Sequence, residues 1–101
     1  MSYGLTERQE TLLKEIFSNY LSKGRVLVYG SRAKGNYTER SDVDLVIQGC
    51  PLDRNLIADI QDAVLESDFP YLTDIQFYEE IQNPALLDHV NRVGQLLLEK
   101  K

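Results

Sequence analysis

Apolar side chains return at helical spacing through Leu5, Leu12, Leu13, Ile16, Phe17, Tyr20 and Leu21, which predicts a helix from about Glu7 to Lys23. Thr6 is a suitable N-cap for it and Gly24 a suitable stop. The pattern then changes. Val26-Leu27-Val28-Tyr29 is a short β-prone run closed by Gly30-Ser31, and Arg32 to Gly35 can form one helical turn. Asn36 to Ser41 is polar and reads as a loop. Asp44 to Gln48 reads as a second strand, ended by Gly49 and Pro51. Leu56, Ile57, Ile60, Ala63 and Val64 mark an amphipathic helix from about Asp53 to Ser67, which Pro70 prevents from continuing. Leu72 to Tyr78 alternates as a third strand. Asn83-Pro84 has the form of an N-cap with proline at the first helical position, and Leu86, Val90, Val93 and Leu97 set the stripe of a last helix, with a break possible at Gly94.

The order is α-β-(short α)-β-α-β-α, an α/β (α+β) fold with a small mixed sheet of about three strands and helices packed on it. A helical crossover between the second and third strands favours parallel pairing with a right-handed connection. The shorter link between the first and second allows the chain to reverse. At 101 residues the whole chain, 1–101, is expected to form one small domain, with no second half to hold a large acceptor.

Charge narrows the partners. The formal net charge of −5 argues against nucleic acid as the main one, because phosphate backbones are gripped chiefly by Lys and Arg. The positive charge is nonetheless uneven: Arg25, Arg32, Lys34 and Arg40 fall in one short stretch, a local cluster that suits a nucleotide better than a polynucleotide. A single cysteine, Cys50, rules out an intramolecular disulfide. The N-terminal residues lack the pattern of a signal peptide, and no apolar run approaches the ~20 residues of a membrane span. A cytoplasmic protein with no membrane role is the expectation.

Three features then converge. Gly30-Ser31 ends a strand and opens a helical turn, where glycine permits close backbone approach and free N–H groups, with the Ser31 hydroxyl, can hold phosphate oxygens. Asp42 and Asp44 stand at the start of the second strand, and residues i and i+2 project to one face. Adjacent carboxylates repel unless a cation lies between them, and Mg²⁺ takes one or two carboxylates together with substrate phosphates. Asp74 is the third acid. Parallel pairing of the second and third strands would set it beside Asp44, and three acids on one face could hold two Mg²⁺ ions about 4 Å apart, which clamp the attacking and leaving oxygens of an in-line displacement. Each piece alone has a bland explanation as turn, cap or solvated strand residue. Their conjunction on consecutive elements carries the case.

The segments Gly30-Ser31-Arg32-Ala33-Lys34-Gly35 and Ser41-Asp42-Val43-Asp44-Leu45, with ten residues between Ser31 and Asp42, resemble the signature of the DNA polymerase β-like nucleotidyltransferase superfamily, and more closely that of its minimal nucleotidyltransferase (MNT) group. The resemblance spans nearly the whole chain. It implies that Asp42, Asp44 and Asp74 are catalytic and bind the metal ions, and that Asp74 helps to activate the acceptor hydroxyl. It also implies that Gly30 and Ser31 position the terminal phosphates of a nucleoside triphosphate, with ATP as the substrate. Arg32 and Lys34 are further candidates for triphosphate contact. Such proteins are commonly paired with a small helical HEPN protein as antitoxin and toxin, and move AMP from ATP to a tyrosine of that partner. Two other functions compete: an antitoxin that masks its partner by binding alone, and a transferase for a small molecule of the aminoglycoside type that needs another subunit. The crowded acids favour an enzyme over a pure binder.

The remaining residues have plainer readings. His89 is read as a surface or helix-packing residue off the apolar stripe. Cys50 is better explained by burial than by reactivity. Glu79 and Glu80 come too late along the third strand to replace Asp74. Phe69, Tyr71, Phe77 and Tyr78 are read as core or interface. The acceptor, the preferred nucleotide and the oligomeric state are not written in these patterns.

Overall fold

The expected first helix is α1, Glu7–Tyr20, in a computed structural model that describes residues 4–35, 38 and 41–101. Thr6 Oγ1 accepts the Gln9 N–H at 3.1 Å while Gln9 Oε1 accepts the Thr6 N–H at 3.0 Å, a reciprocal cap that satisfies two otherwise orphaned donors. The chain continues as β1 (Gly24–Tyr29), α2 (Gly30–Lys34), β2 (Val43–Gln48), α3 (Arg54–Glu66), β3 (Thr73–Phe77), a 3₁₀ turn at Tyr78–Glu80, α4 (Pro84–Val93) and β4 (Gln95–Lys100). Asp53 caps α3 through Asn55 N–H, and Asn83 caps α4 with Pro84 behind it, the latter as the sequence predicts.

The sheet is mixed and has four strands in the order β3-β2-β1-β4. β1 and β2 run antiparallel, with Tyr29 opposite Asp44, and β2 and β3 run parallel, with Asp44 opposite Asp74. Alternation then divides the side chains between two faces. Val26, Val28, Val43, Leu45, Ile47, Ile75 and Phe77 join Leu13, Phe17, Ile60 and Val64 in the larger core beneath α1 and α3. Tyr29 and Val46 face the other way and pack with Ile81 and Val90 in a smaller core under α4. That second face is covered only in part, and its uncovered end carries the acids.

β4 is the departure from the sequence reading. The apolar stripe suggests a helix running through Leu97, yet α4 stops at Gly94, whose N–H bonds to the Val90 carbonyl at 2.8 Å. Gln95–Lys100 pairs antiparallel with β1 instead. Helical periodicity and a short apolar run coincide at Leu97, and the tie is broken by tertiary structure: β1 holds the buried Val26 and Val28 and has a backbone edge that needs partners.

The tail is likewise tied down rather than frayed. Lys100 Nζ donates to the Ser18 and Leu21 carbonyls at 2.7 and 2.9 Å, closing the end of α1, whose last turn contains no basic residue. Lys100→Met keeps the stem and removes these donors, so we expect a loss of about 0.5–1.5 kcal/mol in denaturant unfolding. An unchanged midpoint would show that water replaces the lysine at no loss. Among the described residues no helix is long and apolar enough to cross a membrane.

Candidate active site

Strand polarity brings the acids together. Asp44 faces away from the main core, half-buried between Tyr29 of β1 and Asp74 of β3, its register partners on either side. Asp42 and Asp74 are exposed. Burial pushes the Asp44 carboxyl above the ordinary carboxylate range, and the negative charges of Asp74 and then Asp42 push it further in the same direction. His89 acts the other way. Asp74 and Asp42 therefore both act on Asp44, as the parallel pairing and the i, i+2 spacing predict. Among the described residues no three His, Cys, Asp or Glu side chains are drawn tightly enough together to hold a metal ion between them.

Gly30 abuts this acid pair from the other side. Its φ is +77°, a left-handed conformation, and a Cβ there would overlap Asp44 Oδ2. The turn and Asp44 thus approach each other as closely as a backbone without a side chain allows. Ser31 occupies the second position of α2, where a backbone N–H has no partner within the helix. The Gly30 N–H, by contrast, is already committed: it donates to His89 Nε2 at 3.0 Å.

His89 is the residue that sequence reasoning misplaced. It lies on α4 with its ring edge-on to Tyr29, centroids 6.1 Å apart at 75°. The sequence holds a signal for it. Position 89 is three residues beyond Leu86 and shares that helical face, so the stripe through Leu86 and Val90 passes over it. What the sequence lacks is any sign that the imidazole meets a backbone amide distant along the chain.

Tyr29 and Gln76 form the floor beside the acids. The Tyr29 hydroxyl accepts a hydrogen bond from Gln76 Nε2 at 3.0 Å. Burial, reinforced by Asp44 and Asp74, pushes the phenol up to about 12, which keeps it neutral through the physiological range. It is a wall of the site and not a base.

Arg32, expected at the triphosphate, has a different setting. It is 1% exposed, its Nε and Nη2 donate to the Ser41 carbonyl at 3.1 and 2.9 Å, and its guanidinium lies 4.3 Å over the Tyr71 ring. A planar charged fork on a short turn finds better partners by packing inward than by waiting in solvent. In this position it ties Ser31's neighbour to the residue before Asp42, and so couples the two halves of the motif. Arg32→Lys keeps the charge but loses the fork, and we expect about 1.5–3 kcal/mol less stability in urea. A variant of unaltered stability would remove this role. Lys34 remains exposed at the end of α2, and Arg40 lies outside the described residues.

The larger depressions of the surface lie elsewhere. One, of about 560 Å³, is bordered by Glu7, Glu15 and Asp68, and another, of about 550 Å³, by Asp59, Asp62 and Glu66.

Comparison with known proteins agrees with this geometry. A family model described as polymerase beta, nucleotidyltransferase matches residues 11–101. No curated protein matches the chain in sequence. Among solved structures, a toxin–antitoxin complex with AMP-PNP is 18% identical, with a TM-score of 0.67 over 91% of this chain and 74% of that one. A mutant MntA–HpeT toxin–antitoxin complex is 15% identical, with a TM-score of 0.70 over the same shares. A complex of tri-AMPylated Shewanella oneidensis HEPN toxin with MNT antitoxin is 16% identical, with a TM-score of 0.65 over 95% of this chain and 74% of that one. At these identities the likeness is one of fold.

Proposed function

We propose that this chain, which belongs to the polymerase β nucleotidyltransferase family, moves AMP from ATP to a hydroxyl of a partner protein, a tyrosine of a HEPN-type helical toxin, and acts as that toxin's antitoxin. The observation that carries the transfer is the register of Asp44 against Asp74, with Gly30 backed onto Asp44. The partner is suggested by the structural likeness to toxin–antitoxin complexes.

The mechanism follows from what each group can do. The Ser31 N–H and hydroxyl bind the terminal phosphates and orient the leaving pyrophosphate. Asp42, Asp44 and Asp74 would hold Mg²⁺, which when bound offsets the charge of the triphosphate and stabilises the negative charge that develops at phosphorus. The negative charge that Asp74 and Asp42 press on Asp44 fits a cationic ligand, since a cation there relieves that repulsion. Asp74, which is exposed, would accept the acceptor's hydroxyl proton. The acceptor oxygen then bonds to the α-phosphorus as the bond from that phosphorus to the bridging oxygen breaks, and pyrophosphate departs with the electron pair. Tyr29, Gln76 and Val46 close the floor and limit access of water from the sheet side. That restricts hydrolysis as a side reaction.

The test is to mix the chain with ATP, Mg²⁺ and the protein encoded beside its gene, and to measure the partner's intact mass. The proposal expects gain in whole AMP units, localised to tyrosine and absent when Asp42→Asn/Asp44→Asn is used. A partner neutralised without gain in mass would establish masking by contact in its place.

A further inference from the structure

His89 lies outside the Gly30-Ser31 and Asp42-Val43-Asp44 segments, yet it is fastened to the residue that joins them. The bond from the Gly30 N–H to His89 Nε2 spans 59 positions of chain, so it reports tertiary placement and not local turn geometry. Nε2 is the acceptor, which assigns the ring proton to Nδ1. The ring is held in turn by its edge contact with Tyr29, the residue preceding Gly30. α4 itself is anchored by the buried Val90, by the Asn83 cap and by the Tyr78 hydroxyl donating to Asn91 Oδ1 at 2.9 Å. His89 is thus a rigid post planted against a flexible point.

Flexibility is the reason a post matters. A glycine at φ +77° lies in a shallow conformational well and can rotate its flanking peptides at little cost. Rotation at Gly30 would change the direction of the Ser31 N–H and the distance between the turn and Asp44, against which Gly30 is packed. A hydrogen bond to the Gly30 amide from a separate helix removes that freedom before any ligand arrives, and preorganisation of this kind appears as affinity.

We propose that His89 is a positioning residue for nucleoside triphosphate binding: by accepting the Gly30 N–H it sets the Gly30-Ser31 turn against Asp44. This rests on the reading of that turn as the phosphate site and goes beyond it by assigning a residue of α4 to the nucleotide. In this role His89 acts through the Gly30 backbone, so its loss weakens binding of substrate and transition state alike, raising KM and largely sparing kcat.

Three substitutions separate the hydrogen bond from the packing. His89→Gln places an amide oxygen within reach of the same donor. His89→Phe keeps a ring against Tyr29 but offers no acceptor. His89→Ala removes both. We expect the Kd for AMP-PNP with Mg²⁺, measured by calorimetry on the full chain, to rise about tenfold in His89→Phe and His89→Ala, and to stay within threefold of wild type in His89→Gln. Where transfer is assayed, KM for ATP should follow the same order while kcat varies less than threefold. Scalar coupling across the hydrogen bond, from the Gly30 amide nitrogen to the ring nitrogen, gives a direct signature in the wild-type protein. Wild-type affinity in His89→Phe, or absence of that coupling, overturns the inference. If AMP-PNP binds with the expected dependence on His89 but no AMP is transferred, the inference stands and the catalytic reading falls. If wild type binds no triphosphate, both fall.

Discussion

Gly30→Ala should inactivate the protein and destabilise it together. A non-glycine residue in the left-handed region costs about 1–2 kcal/mol, and at Gly30 the added methyl also meets a carboxylate oxygen that cannot retreat without leaving its place beside Asp74. Either the turn moves away from the acids or Asp44 turns away from its neighbours. Displacements of about 1 Å near reacting atoms lower rates on the order of 100-fold, so kcat/KM should fall at least that far. Gly35→Ala is the internal control. Gly35 also has a positive φ, of 90°, but among the described residues a Cβ there meets nothing within 4 Å. That variant should lose only the conformational cost and retain activity within a fewfold. Equal behaviour of the two variants, in melting temperature and in transfer rate, would contradict the close approach of the turn to Asp44.

Asp44→Asn should have opposite effects on activity and on stability. Activity should drop on the order of 1,000-fold, since the amide cannot ligate as a carboxylate does. Stability without metal should rise. The Asp44 carboxyl is raised in the folded protein, first by burial and then by Asp74 and Asp42, so its ionised form is worse placed there than in the unfolded chain. The sign follows directly: metal-free stability falls as pH rises from the ordinary carboxylate range through the raised value, and stays reduced above it. The asparagine variant lacks this loss. At pH 7 without divalent metal it should melt a few degrees above wild type, and at a pH below the ordinary carboxylate range the gap should close. Adding Mg²⁺ should raise the wild-type melting temperature more than that of the variant. A metal-free Asp44→Asn protein that melts below wild type at pH 7 would contradict the crowding of the acids.

The arrangement of the acids was legible because it follows from strand direction. Residues i and i+2 on a strand share a face, a long helical crossover imposes parallel pairing, and together these place Asp44 beside Asp74 without reference to any side-chain contact. Caps at Thr6 and Asn83 were legible for a similar reason, since they are satisfied within a few residues of themselves. What escaped depends on distant chain. Leu96 to Leu98 satisfies helical and strand patterns equally, and only the edge of β1 decides between them. Arg32 looks like a phosphate ligand until Tyr71 and the Ser41 carbonyl are brought to it. His89 sits on a helix face like any packing residue until Gly30, from the other half of the molecule, donates to it.

The most direct measurement is anomalous diffraction from crystals grown with Mn²⁺ and AMP-PNP. The account predicts manganese peaks against Asp42, Asp44 and Asp74, with the terminal phosphates on the Gly30-Ser31 turn. Manganese bound away from these acids, or phosphates bound away from that turn, would contradict it.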